Sequence, residues 1–154
     1  MNIQPIILSP SVDILEPKLT KKFTSLSNLI FAAGKHHLPD PFVTYLNKEI
    51  QSISQFPGNT EETSKMLGEL QKTILKKLEK EYGLVPRNHY RNLWIPLGVG
   101  GLGLPIGLIF GFGIGNMAFL GAGLPIGLGL GVAIGTYLDQ KAEKEGRQLE
   151  FEVS

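Results

Sequence analysis

From Asn92 to Leu138 the chain runs for 47 residues without one Asp, Glu, Lys, Arg or His, and this run holds 14 of the 19 glycines. As a single α-helix it would extend about 70 Å, more than twice the roughly 30 Å hydrocarbon core of a bilayer. Two helices of about 20 residues and a tight turn use the length almost completely. The turn is placed at Gly115-Asn116-Met117, where Asn116 is the strongly polar side chain in the middle of the run and the glycine tolerates positive φ. The predicted transmembrane hairpin occupies residues 93–138, with spans at 93–114 and 117–138.

The run repeats itself. Gly101 to Gly115 laid over Gly121 to Gly135 matches at 10 of 15 positions with an offset of 20, so each half is one copy of a unit. In a hairpin the copies cross in opposite senses and are related by a pseudo-two-fold axis in the membrane plane. Each copy carries glycines four apart: Gly103, Gly107, Gly111, Gly115, then Gly123, Gly127, Gly131, Gly135. Residues at that spacing share a helix face, so these glycines form a flat groove for close backbone packing. A soluble helix does not favour such a composition, because each interior glycine costs roughly 1 kcal/mol relative to alanine. Gly98, Gly100, Gly101, Gly121 and Gly129 widen the small-residue surface beyond one seam. One seam is expected to close the hairpin and another to receive a neighbouring copy, giving a homo-oligomer.

Pro105 and Pro125 occupy equivalent repeat positions, and each lacks an N–H while crowding the carbonyl four residues back, at Gly101 and Gly121. Matched breaks of this kind can expose carbonyls at a midplane binding site, but no charged side chain accompanies them, so shared helix kinks that shape packing are expected. Gly98-Val99-Gly100-Gly101-Leu102-Gly103 satisfies GxGxxG, yet no acid follows until Asp139, which excludes a dinucleotide fingerprint. The regular glycine spacing and charged borders likewise favour helices over an elastin-like segment.

The remaining residues allow an extended arm at 1–16, a small helical domain at 17–83, a linker at 84–92 and a tail at 139–154. A net charge of +1 and the lack of an aromatic-interleaved basic patch argue against nucleic acid as a partner. With no cysteine, disulfides, thiolate zinc sites and a lipidated anchor are not expected. The first residues, broken by Pro5 and Pro10 and without a basic n-region, do not have the form of a signal peptide. Arg87, His89 and Arg91 border the first span and Lys141, Lys144 and Arg147 follow the second, so the positive-inside rule puts both termini in the cytoplasm. Tyr90, Arg91, Trp94, Tyr137 and Lys141 fall at the same edge and are expected as interfacial anchors.

Ahead of the hairpin three helices are predicted. The first runs from Pro17 to a cap at Gly34, with Leu19, Phe23, Leu26, Leu29, Ile30 and Ala33 at helical spacing. The second opens with Asp40 as cap and Pro41 at the first position, and ends near Pro57-Gly58. Thr60 caps the third, which turns Met66, Leu67, Leu70, Ile74, Leu75 and Leu78 inward and stops at Gly83. Its lysines form a solvated face or touch anionic headgroups. Val85-Pro86 prevents a helix continuous into the bilayer, Asp139 to Glu145 prolongs the second span until Gly146, and the alternating RQLEFEVS is a short strand, a docking tail or disordered.

Chemistry is not signalled. His36 and His37 are adjacent and His89 stands alone, with no HxxxH or HExxH, so no metal site is expected. Gly34-Lys35 lacks the flanking residues of a phosphate loop, and Glu61, Glu62 and Glu69 read as exposed helix charges. No catalytic residues and no cofactor are expected, and the chain is read as non-enzymatic.

At the doubled GLPIG units, the glycine ladders and the charged exit YLDQKAEKEGRQL, the chain resembles small bacterial glycine-zipper membrane proteins with a two-helix hairpin. The resemblance spans about residues 91–147. It implies an all-α protein of a bacterial inner membrane, with the lipid bilayer and further copies as partners. The expected role is a self-associating anchor, scaffold or accessory subunit. A pore-forming or permeabilising effector is the alternative, disfavoured by the absence of polar pore-lining residues. A membrane-tethered module, whose cytoplasmic domain holds an unidentified protein partner, is the third reading.

Overall fold

The computed structural model describes residues 3–7, 16–56, 59–116 and 120–153. The chain is mostly helical and divides into two units: Met1–Leu84 with Leu149–Ser154, and Val85–Gln148. A minor two-stranded sheet is present besides the helices. Val85–Arg87 (β1) pairs with Gln148–Glu152 (β2), which qualifies the all-α expectation.

The first unit is built on three amphipathic helices, Pro17–Gly34 (α1), Asp40–Ser54 (α2) and Thr60–Tyr82 (α3). The stripes read from spacing turn inward. Leu19, Leu26 and Leu29 of α1, Leu46 and Ile50 of α2, and Leu67, Ile74 and Leu78 of α3 are at most 2% exposed and form one core. Ile3 and Ile6 of the N-terminal arm pack on that core, and Gln4 N–H donates to Asn47 Oδ1 at 2.8 Å. The tail resolves as a strand that docks. Alternation along β2 buries Leu149 and Phe151 in the core of this unit and turns Glu150 outward, where it pairs with Lys35 of α1.

Helix boundaries differ from the expected caps in three places. Gly34 is the last helical residue and the cap is Lys35 in right-handed geometry, so no left-handed glycine ends α1. Pro39 caps α2, which moves Asp40 to the first helical position and Pro41 to the second. The cap of α3 is Asn59 rather than Thr60: its Oδ1 accepts from Glu62 N–H at 2.9 Å, while the Glu62 carboxylate accepts from Asn59 N–H at 3.2 Å. This reciprocal capping box satisfies two donors that the first turn would otherwise leave unpaired. Gly83 ends α3 as expected, at φ 66°. Pro57 and Gly58, the expected end of α2, lie outside the described residues; α2 stops at Ser54.

In the second unit β1 is followed by Asn88 at φ 58°, a left-handed conformation that asparagine tolerates better than most residues, and the chain turns there into a helix. His89–Leu97 (α4), a π-helical segment Gly98–Gly103 and Leu104–Ile114 (α5) follow without a gap. The helix therefore begins four residues before the expected span, inside the stretch read as linker. Leu120–Lys144 (α6) returns along it. At the tip Gly115 adopts φ 69°, its N–H bonding to Phe112 O at 3.3 Å and Asn116 N–H to Gly111 O at 3.0 Å. These bonds close the carbonyls at the end of α5, and a side chain at position 115 would be strained. Met117, the third expected turn residue, lies outside the described residues.

Candidate functional site

The feature of the second unit with most consequence is the seam where α6 meets the α4, π and α5 segments. A Cβ built on Gly98 would stand 2.3 Å from Gly127 O, and one on Gly127 would stand 2.3 Å from Gly98 O. Gly103 and Gly123 repeat the reciprocity at 2.9 and 2.1 Å from each other's carbonyl oxygens. Further along, a Cβ on Gly131 would meet Trp94 O at 2.4 Å, and one on Gly135 would meet the Arg91 Cα at 2.4 Å. Side chains at these positions have no room. The helices touch backbone to backbone, with Cα hydrogens directed at carbonyl oxygens, and dispersion plus weak Cα–H···O attraction holds them.

Seven of the eight ladder glycines, Gly103, Gly107, Gly111, Gly123, Gly127, Gly131 and Gly135, are buried in the hairpin. Gly115 is not. It ends α5 at the exposed tip, with nothing among the described residues beyond its chain neighbours within 4 Å of a Cβ. Gly98, five residues before Gly103, takes a seam position instead. The π turn accounts for this, since it absorbs one extra residue and keeps Gly98 facing α6. Leu104 N–H bonds to Val99 O, five residues back. Pro105 comes next, in the first turn of α5, whereas Pro125 lies inside α6, which continues through it. Glycines off the seam face open space: among the described residues, nothing beyond the local helix lies within 4 Å of a Cβ on Gly100, Gly101, Gly113, Gly121 or Gly129.

The base of the hairpin is closed by Asp139, which the sequence marks as the end of the uncharged run and the start of the charged prolongation of the second span. Asp139 is 6% exposed, and its Oδ1 and Oδ2 accept from Tyr90 N–H and Arg91 N–H, each at 3.0 Å. Those donors belong to the first turn of α4, whose own cap residue Asn88 makes no capping side-chain bond. The carboxylate thus caps α4 from across the hairpin, with its charge at the positive end of the helix dipole. The signal lay in the glycine phase. Asp139 follows Gly135 by four and so continues the ladder along the same face of α6.

Around this base, Tyr90 and Arg91 are held through their backbones and Trp94 is half-buried with its carbonyl against Gly131. Tyr137 is exposed, and exposed Lys141 reaches Glu145 at 4.0 Å. The Glu145 carboxyl is held below the usual carboxylate range, first by its hydrogen bond from Arg147 and further by the charges of Arg147 and Lys141. Arg147 is pushed up by the same hydrogen bond and then by one with Tyr90. In the first unit, partial burial followed by the charges of Glu49 and Glu81 raises the Tyr45 phenol, over whose ring Lys77 Nζ lies at 3.9 Å. Lys77 of α3 is thereby engaged within its own unit.

Among the described residues no group of three His, Asp or Glu side chains is placed to hold a metal ion. His36 and His37 occupy the loop between α1 and α2, and His89 opens α4 with its ring edge-on to Tyr90 at 5.0 Å. Two helical stretches, His89–Ile114 and Gly121–Lys144, are long and apolar enough to cross a membrane, and only 22% of the most apolar window of each is buried. No protein-family model, curated protein or solved structure matches the chain.

Proposed function

We propose that the chain is a non-enzymatic integral membrane protein. The hairpin crosses a bilayer twice, anchors the helical unit at the membrane and associates with further copies of itself. The observation that carries this reading is the hairpin's outer surface. A core helix of a soluble protein as apolar as these is mostly buried, whereas here Ile109 and Phe112 are 70% and 69% exposed and the spans bury only 22% of their apolar windows. Lipid satisfies such a surface, and the helical backbone satisfies its own polar groups. Both ends of the hairpin lie on one side of the membrane, and the basic residues at its base, Arg87, Arg91, Lys141 and Lys144, favour the cytoplasm.

Self-association is supported by the glycines the seam leaves unused. On α6, Gly121, Pro125, Gly129 and Ala133 follow one another at four-residue spacing, all exposed, on the face away from the seam. Each exposed helical glycine costs about 1 kcal/mol relative to alanine and gains no contact inside the hairpin; close approach of a second copy supplies one. The helices of one hairpin meet without a lumen at the seam, so an anchor or scaffold is favoured over a pore.

The chain has no native cysteine, which makes single-cysteine mapping direct. In inside-out and right-side-out vesicles, an impermeant maleimide should label Glu145→Cys from the cytoplasmic face alone and Asn116→Cys from the opposite face alone. Labelling of both from one face would remove the two-span reading. Cross-linking should capture oligomers that Gly129→Leu reduces; oligomers absent from wild type would remove self-association. Efflux of small ions from proteoliposomes would replace the anchor with a pore.

A further inference from the structure

The first unit contains a cavity of about 870 Å³ where α1 ends. Its shape follows from the local chain path. The arm at residues 3–7 crosses the last turn of α1, with Ile3 Cδ1 3.7 Å from where a Cβ on Gly34 would stand, and Gln4 tied to Asn47 on α2. Ile3, Ile6, Ile30, Phe31, Leu38 and Val43 make its walls apolar. Phe31 is 69% exposed, large for an aromatic side chain bordering a cavity. At one rim stand three consecutive bases, Lys35, His36 and His37, and no Asp or Glu is among the described lining residues. Lys35 is already engaged by Glu150 and lies 5.0 Å over the Phe31 ring, which leaves the two imidazoles as the adaptable donors.

An apolar trough ending in bases matches a molecule with an aliphatic tail and an acidic head, and the volume lies within the roughly 300–1,000 Å³ of small-molecule sites. We propose that this cavity binds a single-chain anionic amphiphile, of the fatty-acid class. The chain lies against Ile3, Ile6, Ile30 and Phe31, and the carboxylate head meets His36 and His37. Inorganic phosphate has the charge without the tail, and a fatty alcohol the tail without the charge, so neither fills both halves of the site. The inference is independent of whether the hairpin crosses a membrane.

The test uses the full chain in phosphatidylcholine nanodiscs and palmitate carrying a diazirine at its chain end. After photolysis, peptide mass spectrometry should find adducts within residues 3–7 and 27–43. Oleate should compete, oleyl alcohol and sodium phosphate should not, and shortening the competing acid by four methylenes should weaken it at least about tenfold, given about fourfold per buried methylene. His36→Glu with His37→Glu, and separately Gly34→Phe, should each lower labelling at least about fivefold with helicity by circular dichroism unchanged. The competitor series in the unmodified protein tests the site even if a variant misfolds. Adducts confined to the hairpin, equal competition by oleyl alcohol, or labelling unchanged in both folded variants would overturn the proposal. Displacement by phosphatidylglycerol in the disc but not by free oleate would overturn it in favour of a membrane surface.

Discussion

Two alanine substitutions separated by one residue on α6 should act with opposite sign. Gly129 faces open space, so Gly129→Ala removes a helix-weakening glycine and stabilises the hairpin by about 1 kcal/mol. Gly127→Ala has the same propensity gain, but its Cβ would lie 2.3 Å from Gly98 O and 2.6 Å from both Cα and N of Gly103. All three are backbone atoms, which cannot rotate aside. Restoring van der Waals contact requires the helices to part by about 1 Å, and a gap of that size forfeits a quarter to a half of the dispersion along the seam. Overpacking of this kind typically costs about 1–3 kcal/mol, so the two variants should differ by a similar amount, about fivefold or more in hairpin opening. The assay places spin labels on Ile114→Cys and Leu124→Cys, both exposed, in micelles titrated with dodecyl sulfate. Gly127→Ala should lengthen and broaden the distance distribution and lower the opening midpoint; Gly129→Ala should leave the distance unchanged and raise the midpoint. Equal shifts in the same direction would refute the assignment of inner and outer glycine faces.

Asp139→Ala leaves Tyr90 and Arg91 N–H without their acceptor and should destabilise the base of the hairpin by about 1–2 kcal/mol, read as faster amide exchange at those two residues, with Asp139→Asn intermediate. Because the Glu145 carboxyl is held low in the fold, its pairing with Arg147 stabilises at neutral pH and is lost as pH falls through its folded value. Acidification should therefore lower the exchange protection, relative to the intrinsic rate, of Val85 N–H, which donates to Arg147 O at 2.9 Å; the pair lies at the surface, so the effect is small, and Glu145→Gln should abolish it. Leu149→Ala, at a fully buried site, should destabilise the first unit by about 2–5 kcal/mol in thermal unfolding followed by circular dichroism. Asn59→Ala removes half of the capping box and should lower the same stability by about 1 kcal/mol.

The helical stripes of the first unit were legible because each helix is amphipathic, and periodicity reports that directly: Leu26, Leu46 and Ile74 fall where a period of 3.6 places them. Its helix ends were less so. Asn59 and Thr60 are both good caps, and the decisive sign was Glu62, three residues after Asn59 and only two after Thr60. The core role of Leu149 and Phe151 was hidden for a different reason. Five alternating residues are too few to separate a docked strand from a loose tail, and the core they join is built by helices far back in the sequence.

The hairpin shows the complementary limit, where a strong pattern hides an asymmetry. The two repeat copies share GLPIG, and a symmetric reading gives each the same glycine face and the same proline break. In the fold the first copy is entered through a π turn, whereas the second runs as α-helix within Leu120–Lys144. The difference lies ahead of the shared GLPIG. Gly98, Gly100 and Gly101 precede the first proline, and with few side chains to crowd it the backbone can widen where Pro105 lacks an N–H and presses on the carbonyl of Gly101. That widened turn converts a five-residue interval into a seam contact, so Gly98 meets Gly127 while Gly103 meets Gly123. A fixed four-residue count therefore loses one seam glycine at the base and adds Gly115 at the tip. The same count, carried one step past Gly135, arrives at Asp139 and its cap on α4, so the ladder on α6 ends in the group that fixes the register of the seam.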